Sequence, residues 1–109
     1  MRMLRKRDEY LAKVFQALAD STRRTILEDL SQRSDQSLFE ILARLVEKHQ
    51  LSISRQAVSK HLKALEDAGL IETSWCGRTK LHTSCIAETK ELLILWLEDV
   101  MPKENRSER

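Results

Sequence analysis

Apolar residues recur at helical spacing in five separate stretches of this chain, and in one stretch the spacing shifts to alternation. Leu11, Val14, Phe15 and Leu18 predict a first helix over about residues 8–18. Asp20 follows as a cap, its carboxylate suited to the positive end of the next helix. Ile26, Leu27 and Leu30 give that second helix its inner face, with Arg23 and Arg24 projecting from its first turn. Ser31 to Ser37 reads as a polar connection. A third helix carries Leu38, Ile41, Leu42, Leu45 and Val46 and fades near Lys48. A short turn at 49–53, without glycine, leads to the fourth.

The fourth helix is the most distinctive. Ser54 is its cap, Val58, Leu62 and Leu65 form one apolar stripe, and Gly69 ends it as a residue free to turn left-handed. Its outer face carries Arg55, Gln56, Ser59, Lys60 and Lys63, and no acid occurs from Ser52 to Leu65. A packed back with a basic, hydrogen-bonding front suits a duplex major groove, and equally an ordinary solvated helix face. Two helices joined by a short turn, the second basic outside, outline a helix-turn-helix.

After Gly69 the period becomes two. Residues 70–75 and 78–83 flank Cys76-Gly77, a pattern that predicts a β-hairpin. Arg78 and Lys80, on one face of the second strand near the tip, make it a candidate wing that grips phosphates. The last helix spans about 87–101. Leu92 to Leu97 is a run of six apolar residues, continued by Val100 and Met101. Such a run goes right round a helix, and a terminal helix on a small domain cannot bury its whole circumference. Leu92, Leu93, Trp96, Leu97 and Val100 are therefore expected at a homodimer interface. The bland alternative is a central helix wrapped by the others. Pro102 stops the helix, and a polar tail follows.

Composition changes this picture little. The 109 residues form one domain, mainly α with a small β-hairpin: about five helices and a two-stranded wing. Its expected parts are a frayed basic arm (1–7), a helix-turn-helix (37–68), the wing (70–84), the dimerisation helix (87–101) and the tail (102–109). The net charge of +2 is too small to argue for nucleic acid. Its distribution is more informative. Residues 1–7 carry four cations and no acid, while 88–104 carry five acids against two lysines. That asymmetry favours an anionic partner for one face. The basic start precedes no apolar run and no stretch is long enough to span a bilayer. Two cysteines without a framework pattern fit a reducing cytoplasm. No phosphate loop, nucleophile elbow or metal-ligand spacing occurs, so an enzyme is not expected and no cofactor is implied.

Three motifs in order resemble the ArsR/SmtB family of bacterial winged-helix transcriptional regulators over roughly residues 10–85. The first runs from Phe15 to Leu27, with Ser21 where the family usually has proline after the aspartate. The second is Ser54 to Leu70, and the third is the wing ending Gly77-Arg-Thr-Lys80. The resemblance implies a dimeric repressor of double-stranded DNA operators whose first and last helices pair across the two-fold axis, which adds Leu11 and Phe15 to the expected interface. It also implies an effector, which the sequence leaves unknown. The family's metal sensors carry a Cys-x-Cys motif on the helix before recognition, and a second site of acids and histidines on the last helix. Leu38 to Leu45 contains neither cysteine nor histidine, and the last helix has no histidine, so no metal site is expected.

Within the resemblance, Arg55, Gln56, Ser59 and Lys60 are the groove-facing candidates, since glutamine can pair with adenine and arginine or lysine with guanine. Lys63, a turn further on, is expected at phosphate, and Arg78 and Lys80 at phosphate or minor groove. His61 is read as packed, His82 as a strand residue without special task, Trp75 as wing packing and Trp96 as an interface anchor. Cys76 and Cys85 raise the alternative of a thiol-responsive regulator, but nine extended residues span roughly 30 Å whereas a disulfide needs Cα atoms within about 7 Å. A second alternative is a winged helix used for protein interaction without DNA.

Overall fold

The computed structural model describes residues 2–102 of the chain. Its order is α1 (Arg2–Leu18), α2 (Ser21–Gln32), α3 (Leu38–Glu47), α4 (Arg55–Asp67), β1 (Ile71–Cys76), β2 (Thr79–Ser84) and α5 (Ala87–Val100). Five helices and a two-stranded antiparallel hairpin are the architecture the periodicities predict. The tail from Lys103 onward lies outside the described residues. The predicted stripes of the first four helices meet in one core, except that Phe15 and Val46 are exposed. Val14 and Ala17 of α1, Ile26 and Leu30 of α2, Ile41 and Leu45 of α3, and Val58, Leu62 and Leu65 of α4 are all buried there, closed by Leu70 and Ile71.

The caps explain where the helices begin. Asp20 accepts from the Arg23 amide at 3.1 Å and Ser54 from the Ala57 amide at 3.1 Å. At α3, Ser37 and Glu40 form a reciprocal capping box. α4 ends in a Schellman turn: the Leu70 amide donates to the Leu65 carbonyl and the Gly69 amide to that of Glu66, with Gly69 at φ 75°. A Cβ at Gly69 would lie 3.1 Å from the Tyr10 hydroxyl. That hydroxyl in turn lies 3.2 Å from Oγ1 of the fully buried Thr89, so α1, α4 and α5 converge at this glycine.

Several expectations are corrected. The stretch expected as a frayed arm is helical from Arg2, because Arg, Met, Leu and Lys are good helix formers and nothing before Asp8 interrupts them. Arg23 is partly buried instead of projecting, and Arg24, although exposed, is not free. Arg23 folds back to donate to the carbonyls of Gln16 and Ala17, and Arg24 to that of Leu18, satisfying the orphan acceptors at the end of α1. The glycine-free turn before α4 puts Gln50 itself in the left-handed region, at φ 56°. Arg78 sits in the hairpin turn rather than on the second strand, which begins at Thr79. Gly77 at φ 64°, followed by a residue without positive φ, fits a type II′ turn.

The polar connection holds the largest departure. Gln36 is fully buried and pairs with His82 as a one-residue third strand, their backbones exchanging hydrogen bonds of 3.1 and 2.8 Å. His82 Nδ1 lies 2.9 Å from the Gln36 carbonyl, which can only accept, so that nitrogen carries the proton. His82 therefore has a task, anchoring the wing to the body. Gln36 also donates to Asp29, which is 6% exposed on the inner side of α2. Arg44 of α3 grips Asp29 with two nitrogens, Nη2 at 2.8 Å, while Lys48 and His49 each stand 3.6 Å away. The Arg44 hydrogen bonds outweigh burial, and with Gln36 and His49 they bring the Asp29 carboxyl from the usual 3.8 down to about 2.

Two predictions follow from these positions. Gly69→Ala should cost at least about 1 kcal/mol and Gln50→Gly should gain up to about 1 kcal/mol, because only the first takes a side chain into a left-handed site; urea unfolding of the two variants measures both signs. For Asp29, the depressed folded pKa means its stabilisation is fully present above the unfolded value of 3.8 and is lost as pH falls toward about 2. The loss amounts to on the order of 2 kcal/mol. Asp29→Asn should be less stable than the parent at pH 7, and the gap should narrow through that acid window in parallel urea titrations. A gap unchanged between pH 5 and pH 2 would refute the linkage.

Candidate nucleic-acid interface

α4 presents its outer face to solvent over its whole length. Arg55, Gln56, Ser59, Lys60 and Lys63 are all exposed, while Val58, Leu62 and Leu65 hold the opposite face in the core. The segregation follows from helical period: the buried triad fixes the rotation of α4, and the polar residues must then face outward. The helix is fixed at its ends by the Ser54 cap and the Gly69 turn, and in its middle by His61. The His61 imidazole is half-buried, with Nδ1 3.2 Å from an Arg23 guanidinium nitrogen. Arg23 can only donate, so this nitrogen accepts. The packed, hydrogen-bonded role expected for His61 is what the geometry shows.

The wing stands beside α4. Its six-residue strands pair from Ile71–Ser84 at the root to Cys76–Thr79 at the tip, and the root is buried at Ile71 and His82. Trp75 and Lys80 face each other across the strands. Glu66 of α4 links to this hairpin, 3.4 Å from the Thr73 hydroxyl and 4.0 Å from Lys80 Nζ. Between α4, the wing and the start of α3 lies an open groove of about 520 Å³, lined among others by Phe39, Arg55, Lys63, Trp75, Arg78 and Lys80. The structure thus brings five of the seven predicted DNA-contact residues, Arg55, Ser59, Lys63, Arg78 and Lys80, into one groove, and leaves Gln56 and Lys60 on the adjoining exposed face.

These cations differ in their partners. Lys63 is 3.3 Å from Asp67 and Lys80 approaches Glu66, whereas no carboxylate lies within 4.0 Å of Arg55, Lys60 or Arg78 among the described residues. Exposed pairs of the Lys63–Asp67 kind are weak and exchange readily for a stronger anion. Two aromatic residues were missed or misread from the sequence. Trp75 is 67% exposed and so is not wing packing, and Phe39, also 67% exposed, stands at the groove's other wall. Phe39 adjoins Leu38 just off the buried stripe of α3, a displacement that marks it in the sequence once the stripe is drawn.

The residues expected at a dimer interface divide. Leu11 is buried within the protomer and Leu93 packs against the core. Phe15, Leu97 and Val100 are exposed, together with Ile94, Leu95 and Met101, which were not singled out. Leu92 and Trp96 are intermediate. Phe15 meets Trp96 edge-on, with ring centroids 5.1 Å apart, so α1 and α5 form one continuous apolar surface. Arg7 and Asp99 join the same helices at 3.2 Å.

The thiol alternative finds little support in this arrangement. Cys76 is at the tip of the hairpin and Cys85 just beyond its root, separated by the full length of β2. Cys85 donates to the Gly69 carbonyl, and burial, with the nearby Glu88 and Glu72 charges, pushes its thiol up, away from the reactive thiolate. Among the described residues, no three His, Cys, Asp or Glu side chains converge as metal ligands, and no helix is long and apolar enough to cross a membrane.

Comparison with known proteins places this geometry. Residues 18–74 match the model of a helix-turn-helix domain family. The chain is 46% identical over 85 residues to YuzN of Bacillus subtilis (strain 168), described as an uncharacterized HTH-type transcriptional regulator, across 78% of this chain and 92% of that one. An ArsR-like transcriptional regulator from Rhodococcus sp. RHA1 superposes with a TM-score of 0.70 at 39% identity, covering 84% of this chain and 77% of that one. The fold is shared by a homodimeric winged helix-turn-helix DNA-binding domain from Mycobacterium bovis, with a TM-score of 0.64 at 22% identity, covering 86% of this chain and 83% of that one. A core built from the predicted stripes, a capped basic helix and an adjoining hairpin wing thus meet in one sequence that matches these relatives in sequence and fold, and the chain belongs to the ArsR-like helix-turn-helix transcriptional regulators.

Proposed function

We propose that the protein is a homodimeric repressor that binds a pseudo-palindromic operator, with one α4 in each of two major grooves. The observation that carries this reading is the exposed face of Arg55, Gln56, Ser59, Lys60 and Lys63, with no acid before Glu66 and Asp67 in the last turn and backed by a core that fixes its direction. Arg55, Gln56, Ser59 and Lys60 read base edges or approach them; Lys63, Arg78 and Lys80 meet phosphate. The wing stands where a cationic hairpin would reach the backbone flanking the groove. Half-sites would lie one helical turn, about 34 Å, apart or a multiple of it.

The second copy is expected on the α1–α5 surface. Leu97 and Val100 are 50% and 57% exposed, and Ile94 and Leu95 extend the same apolar strip. A strip of this kind is a poor surface to leave in water. The homodimeric Mycobacterium bovis domain of the same fold supports this assignment.

DNA binding is tested by fluorescence anisotropy on duplexes tiling the region upstream of the protein's own coding sequence. Affinity should fall steeply with salt, with a log–log slope of roughly 0.9 for each phosphate contacted. Lys60→Ala should weaken binding by about 1 kcal/mol or more. Salt-insensitive association, or full affinity in that variant, would instead favour a protein-interaction role. The dimer is tested separately by sedimentation. The parent should sediment at twice its chain mass and Leu97→Glu/Val100→Glu as a folded monomer; a parent that is monomeric at micromolar concentration sinks the two-fold reading.

A further inference from the structure

We propose that Phe39 is a positioning residue for Arg55, confining its guanidinium over the ring with its donors left available to DNA; this rests on α4 being the DNA-reading helix. The Arg55 guanidinium carbon lies 5.2 Å from the centroid of the Phe39 ring, within cation–π range. Both side chains come from the first turn of a capped helix. Phe39 follows the Ser37 capping box and Arg55 follows the Ser54 cap, so the backbone that carries each side chain has a fixed start.

Two features show that this pair is not there for stability. Phe39 is 67% exposed and adds little to the core. Arg55 is a cation at the positive end of its own helix, where a carboxylate would be favoured. No carboxylate lies within 4.0 Å of it among the described residues, so no ion pair accounts for its place over the ring. A cation over a ring is held by the ring's face and not by its own N–H groups, and no acceptor takes the Arg55 side-chain donors among the described residues. That is the disposition needed for bidentate bonding to guanine or phosphate. Phe39 thus removes rotamer freedom that Arg55 would otherwise lose on binding.

The test uses the full chain and the upstream duplexes. Phe39→Ala should lower affinity roughly two- to five-fold, the factor an exposed cation–π contact supplies. Phe39→Tyr should restore it, and Phe39→Ala should have no further effect in an Arg55→Ala background. In the free protein, the Arg55 side-chain proton resonances should be shifted upfield by the ring and should relax to ordinary values in Phe39→Leu. Equal losses with and without Arg55 would make Phe39 a direct DNA contact and overturn the inference, as would Arg55 resonances indifferent to Phe39→Leu. Wild-type protein that leaves every upstream duplex unbound overturns the DNA reading itself, and this inference with it.

Discussion

The carboxylate of Asp29 is withdrawn from water, and the arrangement of the DNA-facing half depends on how it is satisfied. Arg44 reaches it from α3 with two nitrogens and Gln36 from the one-residue strand that pairs with β2. A buried ion is tolerated only when such partners replace its hydration, and removing one partner leaves an uncompensated charge. The interaction adds less to net stability than to geometry. The apolar stripe decides which face of α3 turns inward, but its contacts are not directional and define the helix's exact seat on α2 less sharply. A forked guanidinium on a fixed carboxylate admits few orientations. One side chain on α2 thereby fixes the helix that precedes α4 and, through Gln36 and His82, the root of the wing.

The Arg23 and Arg24 clasp does the same for α1. A tight two-residue link between α1 and α2 leaves carbonyls at the end of α1 unpaired, and the guanidinium groups of the next helix's first turn occupy them. Arg23 then continues to His61 on α4. Arginines that look like free surface cations in the sequence are thus held by main-chain carbonyls, while Arg55 and Lys60 of α4 have no carboxylate within 4.0 Å among the described residues. A count of charges could not separate the two groups; the separation comes from which residues have carbonyls within reach.

The parts legible in the sequence are those with local causes. The 3.6-residue stripes, the Asp20 and Ser54 caps, Gly69, and the change to period two at the wing point to five helices and a hairpin, with ends close to those observed except at the start of α1. The illegible parts are polar pairings across long separations. Asp29 and Arg44 lie 15 positions apart and His82 and Gln36 lie 46 apart, and neither pair leaves a periodic trace. Exposure within a strand was equally hidden: Trp75 and His82 share one face of the hairpin, but only the root is covered. At the candidate interface the polar residues of α4 were legible because its buried triad was. Phe39 was not, since its meaning comes from a helix that starts sixteen residues later. The α1–α5 surface was legible in part, because a six-residue apolar run cannot be wholly buried, yet which of its members turn inward depended on Thr89 and Leu93.

Where α1, α4 and α5 meet at Gly69, three positions are no longer independent in sequence change. Tyr10 fills the space a side chain at 69 would need, and its hydroxyl completes the hydrogen bonding of a threonine with no access to water. Shortening Tyr10 to phenylalanine would make room but strand Thr89, and replacing Thr89 by valine would remove that demand but leave the tyrosine hydroxyl looking for a partner. Even with both exchanged, the left-handed backbone at 69 still selects glycine or asparagine. Variation at this junction is therefore expected to come as a set, with Tyr10 and Thr89 changing together to Phe and Val while Gly69 stays.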